Sequence, residues 1–223
     1  MPKESKNNNL IISLFPLPEI VLFPGMNLPI HIFEERYKKM ISGCLETTKV
    51  FGVVLAKGSM CAEIGTTAEI IDVEKLEDGK MNIFTEGKSR FKIVDFISEE
   101  PYYIANVQIY EDTESEIDTN LKKTFKEIRK LSSEALNIFD LVSEQELSKK
   151  LKLPKEPNEL LFSIAANLTC SHESKQAILE DRSIKQRATK VLSLLKEEIQ
   201  RLEVLLENKR TKNEVVKNGK LKI

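Results

Sequence analysis

The chain has 223 residues, 41% hydrophobic and 31% charged, which is enough for one large domain or two smaller units and excludes a disordered composition. Lys and Arg number 34 against 35 Asp and Glu, so the net charge of −1 supplies no general pull toward nucleic acid or an anionic membrane. Cys44, Cys61 and Cys170 form neither a disulfide framework nor a Cys-x-x-Cys motif and read as buried reduced thiols.

At the amino terminus Lys3 and Lys6 precede Leu10, Ile11, Ile12 and Leu14, yet Asn7 to Asn9, Pro16, Pro18 and Glu19 interrupt any apolar region of signal-peptide length. A short loose tail and then a first strand are expected. No apolar run approaches the ~20 residues needed to cross a bilayer, so no membrane partner is expected and the cytoplasm is the expected compartment.

Residues 14 to 37 read Leu-Phe-Pro-Leu-Pro-Glu-Ile-Val-Leu-Phe-Pro-Gly-Met-Asn-Leu-Pro-Ile-His-Ile-Phe-Glu-Glu-Arg-Tyr. Prolines at 16, 18, 24 and 29 keep each apolar run extended and stop it from continuing as a helix. From Phe33 the apolar residues Phe33, Tyr37, Met40, Ile41, Cys44 and Leu45 recur at helical spacing, predicting an amphipathic helix over 33–46. The order is strand, Pro-Gly corner, strand, helix.

Strands are predicted at 50–57, 67–76, 80–85, 90–97 and 102–110, rich in β-branched and aromatic residues and bounded by Gly, Asp or Pro. Asp78-Gly79 is the clearest hairpin turn. Short strands with short connections suggest a closed or nearly closed barrel that removes its own edges. After Glu111 an acidic connector begins, and the remainder reads as helix.

Ile117, Leu121, Phe125, Ile128, Leu131, Ala135, Leu136 and Phe139 share one face of a long helix. Ser143 and Glu146 are spaced as a capping box for a short second helix, which Pro154 stops. Pro157 fits the first turn of a third, running to about Leu168, and residues 175–180 form a fourth. Ser183 and Gln186 cap the last helix, where Ala188, Leu192, Leu195, Ile199, Leu202 and Leu206 form a coiled-coil-like seam. That seam packs in a helical bundle or joins two copies weakly. Residues 209–223 carry six basic groups against Glu214 and read as a flexible solvated tail.

The order apolar-Phe-Pro-Leu, Val-x-Phe-Pro-Gly, Leu-Pro, Ile-Phe-Glu-x-Arg-Tyr resembles the opening of the Lon protease amino-terminal, substrate-binding domain. The His31 to Tyr37 ending looks most like members that carry this module alone. Further matches follow in order: Phe51 to Leu55, Ile64 to Ile70, Asp78-Gly79-Lys80, Gly87-Lys88-Ser89-Arg90-Phe91, Pro101-Tyr102 and Lys175 to Glu180. The resemblance spans roughly residues 10 to 207. It implies an α+β fold: an amino-terminal PUA-like small β-barrel with one amphipathic helix over 10–112, then a helical bundle over 113–208 ending in a long helix. It also implies a non-catalytic module that recognises unfolded or damaged polypeptide, or a partner in proteolysis such as a separate ATP-dependent protease. Small-molecule or RNA binding on a PUA-like barrel is the alternative.

Catalytic signatures are weak. In Gly87-Lys88-Ser89 the first glycine of a phosphate loop would fall at Asn82, and the segment lies between strands, where the family has a Glu-Gly-x-x-Arg-Phe hairpin. His31 with Glu34 and Glu35 is one residue from an inverted zinc motif, and one imidazole with one carboxylate makes no closed zinc site. His172 reads as a helix-start residue, and its pairing with Cys170 is too local for a thiol site. No catalytic residue, metal or cofactor is expected. The candidate protein contacts are Phe23, Pro24, Gly25, Met26, Phe33 and Tyr37, because Met adapts to varied ligands and Pro-Gly presents its neighbours rigidly. The same apolar residues could instead plug the barrel end and support the first helix.

Overall fold

A computed structural model describes residues 9–58, 60–113 and 116–219, with side chains to residue 212. The expected amino-terminal tail lies almost wholly outside the described residues. The chain forms two compact units, residues 1–113 with 171–182, and residues 114–170 with 183–223.

The first unit is built on strands β1 (Asn9–Leu17), β2 (Asn27–Ile32), β3 (Val50–Lys57), β4 (Met60–Cys61), β5 (Ile64–Lys75), β6 (Met81–Ser98) and β7 (Ile104–Ile109). The pairing order is β1-β7-β6-β5-β3, and β3 returns to β1 through the parallel register Leu14 with Gly52 to Leu17 with Leu55. Five strands thus pair in a ring without free edges, as the short-strand pattern suggested. Leu14, Val54, Phe91, Ile93, Ala105 and Val107 form one apolar cluster drawn from β1, β3, β6 and β7. A second cluster lies where helix α1 (Glu35–Leu45) presents Tyr37, Met40, Ile41 and Cys44 to Phe15, Phe51, Val53, Ile70 and Ile83. The Asp78-Gly79 hairpin is closed by the amide of Leu76 donating to Lys80 at 2.9 Å.

The expected hairpin at Gly87 to Ser89 is absent, because 80–85 and 90–97 are two halves of the single strand β6. Its first half pairs with β2, its second with β7, and both halves with β5.

The helix over 175–180, which the sequence reading placed in the helical half, is α5 (His172–Glu180) and belongs to the strand unit. Hydrogen bonds explain why. Arg90, buried on β6, donates to the carbonyls of Leu179 at 2.7 Å and Asp181 at 2.8 Å and pairs with Asp112. The Tyr110 hydroxyl donates to Glu180 at 3.0 Å, and the Gln176 amide donates to Ile64 at 2.9 Å. A cation and a phenol therefore satisfy the carbonyls left open at the end of α5.

The second unit contains α2 (Thr119–Ser143), α3 (Leu147–Lys150), α4 (Pro157–Asn167) and α6 (Ile184–Gly219). Helix α2 begins at Asp118, whose carboxylate accepts from the amide of Leu121 at 2.7 Å, and it buries Leu121, Phe125, Ile128, Ser132 and Ala135. Four of the six seam residues of α6 are buried, and the fully buried Arg187 adds a cation to that face, held by Asn158 at 2.8 Å and stacked 4.6 Å from the Phe162 ring.

Two local expectations differ. Ser143 ends α2 instead of starting α3, because its hydroxyl donates back to the Phe139 carbonyl while Asp140 accepts from the amides of Leu147 and Ser148. The tail expected over 209–223 is helical through Gly219, and its last four positions lie outside the described residues. Lys209 there donates to the carbonyls of Leu141 at 3.1 Å and Val142 at 3.0 Å and pairs with Glu144, a cation placed at the carboxyl end of α2.

Candidate functional site

The Pro-Gly corner forms a tight turn in which the amide of Met26 donates to the carbonyl of Phe23 at 3.1 Å. Pro24 sets the first central position, and Gly25 at φ 77° supplies the left-handed second one. The turn is pinned to β6: the Gly25 amide donates to the Gly87 carbonyl at 2.7 Å, and the Gly87 amide donates to the Met26 carbonyl at 2.9 Å.

The six candidate contacts separate by burial. Phe23 is fully buried, and Tyr37 is buried with its ring 4.2 Å from that of Phe15. Burial pushes the Tyr37 phenol up, partly offset by the guanidinium of Arg36, which lies 4.6 Å over its ring. Both side chains belong to the buried core. Met26 is half-buried against the α1 cluster, Pro24 is half-buried, and Gly25 is exposed. Phe33 is 59% exposed and stacks on His31 with ring centroids 6.1 Å apart.

Phe33 and His31 lead onto a surface that sequence reading did not single out. On the outer face of β2, β6 and β5, exposed Pro29 pairs in register with Phe84, and Phe84 with Asp72. The register between β5 and β6 shifts from Ile70 to Asp72, which leaves Ile71 as a bulged residue. Bulges re-aim side chains, and here Ile71 is 59% exposed next to the 48% exposed Phe84. A signal was available: Ile70-Ile71 and Ile83-Phe84 are apolar doublets, and on a strand two successive side chains cannot both point to the same core.

Polar networks flank this apolar row on both sides. On one side the His31 Nδ1 proton is donated to Asn82 at 2.7 Å, and the Asn82 amide donates to Glu74 at 2.7 Å. That chain of donors fixes the imidazole tautomer and the amide orientation. On the other, Lys88 reaches Glu86 at 2.7 Å and Glu69 at 3.1 Å, and these carboxylates, Glu86 first, push its ammonium up. An apolar centre between ordered polar groups is suited to burying a ligand's side chains while keeping its backbone solvated at the rim. Strand β2 pairs with β6 alone among the described strands.

His31 is thereby occupied in a network with an amide and an aromatic ring. His172 is the first residue of α5, whose cap is the hydroxyl of Ser171 accepting from the Ser174 amide at 3.2 Å. Among the described residues no three His, Cys, Asp or Glu side chains are grouped as metal ligands. Of the three thiols expected to be buried, Cys44 is, whereas Cys61 and Cys170 are half-buried; burial pushes the Cys44 and Cys61 thiols up. No described helix is long and apolar enough to cross a membrane.

The family model described as the ATP-dependent protease La (LON) substrate-binding domain matches residues 11–197. The chain is similar to the Lon protease of Flavobacterium johnsoniae, 28% identical with 91% of this chain and 26% of that protein covered. It is also similar to the Lon protease of Syntrophus aciditrophicus, 29% identical with 87% and 26% covered. The chain thus spans about a quarter of the length of these relatives. Among solved structures, a Lon N-terminal domain protein from Xanthomonas campestris aligns at TM-score 0.63 and 22% identity over 82% of this chain and 98% of that one. The N-terminal domain of Mycobacterium avium complex Lon protease aligns at TM-score 0.66 and 16% identity over 84% and 98%. These two alignments establish a shared fold.

Proposed function

The chain belongs to the Lon substrate-binding domain family, and from that premise we propose that it is a non-catalytic module that recognises unfolded or damaged polypeptide by its apolar side chains. The observation that carries this reading is the exposed row Pro29, Phe84 and Ile71, continued by Phe33 and bordered by the His31–Asn82–Glu74 and Glu86–Lys88–Glu69 networks. Loosely specified chains bind such a surface by burying whichever large side chains they expose, so affinity needs no fixed sequence. Of the six residues expected at the contact, Phe33 and Met26 remain in the proposal. Phe23 is buried and Tyr37 packs in the α1 cluster, while Pro24 and Gly25 form the turn that carries Met26. The partner in proteolysis is a protein that receives or competes for the same clients.

The test is suppression of light scattering by a thermally unfolding client, with an RNA titration at several salt concentrations run in parallel. Suppression at near-stoichiometric ratios is expected, and the double substitution Phe84→Asp with Ile71→Asp removes it while leaving the far-ultraviolet circular dichroism unchanged. Tight, salt-sensitive RNA binding with no effect on the client would sink the reading.

A further inference from the structure

The second unit holds a cavity of about 400 Å³ between α2, α3, α4 and α6, whose lining includes Leu136, Phe139, Leu151, Leu195 and Leu202. Nothing in polypeptide recognition on the first unit uses it. It opens to solvent, so its apolar walls face water and gain by being covered. The volume falls within the ~300–1,000 Å³ range of pockets for single small ligands, whereas a stable protein partner would cover about 800 Å² of open surface.

Charge indicates what that ligand carries. The charged groups in the lining are Lys152 and Glu198. Glu198 is committed to Arg201 at 2.9 Å and lies within hydrogen-bond reach of the Thr169 hydroxyl. Lys152 has no ion pair among the described residues. Along the same stretch Leu147, Leu151 and Leu153 line the cavity, while exposed Lys150 and Lys152 alternate with them. Lys152 therefore sets a single cation beside an apolar floor.

We propose that this cavity binds the alkyl chain of a fatty-acid carboxylate, with the ammonium of Lys152 at its head group. The alkyl chain removes the apolar lining from water, and the carboxylate stays at the solvated mouth where pairing with Lys152 requires no burial of charge.

The experiment is calorimetric titration of the full chain with dodecanoate below its micelle-forming concentration, with dodecanol and an acidic amphipathic peptide as comparison ligands. One saturable site per chain is expected, with a rise in melting temperature on binding. Lys152→Glu should weaken dodecanoate about tenfold and leave dodecanol within about twofold. Leu136→Trp, which fills the cavity from a half-buried position, should abolish both, and Ser163→Leu is a second filling variant should the first fold poorly. Absence of saturable binding, binding indifferent to the filling variants, or tight binding of the peptide alone would overturn the proposal.

Discussion

The carbonyl oxygen of Phe23 stands 2.3 Å from the point where a Cβ on Gly87 would be, and the carbonyl carbon stands 3.1 Å from it. Backbone meets backbone there, held by the two hydrogen bonds that Gly87 exchanges with Gly25 and Met26. A side chain at 87 cannot be absorbed by rotating a neighbour, so the corner itself must lift. Gly87→Ala is expected to cost about 3 kcal/mol, at the upper end for overpacking, because the obstructing atoms belong to the main chain. Urea unfolding midpoints measure it, and a loss below about 0.5 kcal/mol, the usual size for an unobstructed surface position, would contradict the geometry.

The same corner separates core from surface within one short motif. Phe23→Ala should destabilise the protein by about 3–5 kcal/mol, the range for emptying a buried aromatic site. Phe33→Ser, at a largely exposed ring, should change stability by no more than about 0.5 kcal/mol. Client binding should show the reverse order once Phe23→Ala is assayed at a temperature where it is folded. Equal stability losses at the two positions would show that the assignment of Phe33 to the surface is wrong.

Arg90 is the third test. Replacing it with Met removes the donor from the Leu179 and Asp181 carbonyls and the cation from Asp112. A loss of about 3–5 kcal/mol is expected for breaking a buried, hydrogen-bonded charge pair from one side. Arg90→Lys should recover little of it, since a single ammonium cannot reproduce the planar fork that serves two carbonyls and a carboxylate together. Hydrogen exchange should locate the damage in α5, whose amides would exchange early while those of β3 stay protected.

Much of this architecture was legible because it is local. Phe23-Pro24-Gly25 specifies its turn by proline and glycine geometry alone, and the Tyr37, Met40, Ile41 and Cys44 spacing specifies the buried face of α1. The failures are non-local. Gly87 looked like a turn glycine, yet it is needed because a segment some sixty residues earlier crosses it, and spacing along the chain holds no trace of that approach. Helix α5 carries an ordinary amphipathic pattern, and its bonds to the buried Arg90, to Tyr110 and to the Ile64 carbonyl tie it to the strand unit. Phe84 and Ile71 were hidden by the assumption that apolar strand residues face inward, which the bulge at Ile71 overrides. Ser143 and Glu146 matched a capping box in type and spacing but lost to Asp140, which is seven residues before Leu147 and outside any short motif.

That replacement cap makes α3 sensitive to acid. The Asp140 carboxylate accepts from the Ser148 hydroxyl at 2.5 Å and from the amides of Ser148 at 2.9 Å and Leu147 at 2.8 Å. These bonds, that from the Ser148 side chain foremost, hold its pKa below the usual value. A carboxyl with a lowered folded-state pKa stabilises the fold above its unfolded pKa of about 4, and the contribution fades as pH falls from there through the lowered value. The α3 turn should therefore be protected at neutral pH and open in acid before the α2 and α6 core does. Hydrogen exchange at Leu147 and Ser148 reads this, once rates are corrected for the intrinsic effect of pH. Asp140→Ala should reproduce the acid behaviour at pH 7 and remove its pH dependence. If those two amides were as protected in the variant as in the unaltered chain, the turn would owe its stability to the packing of Leu147 and Leu151 instead.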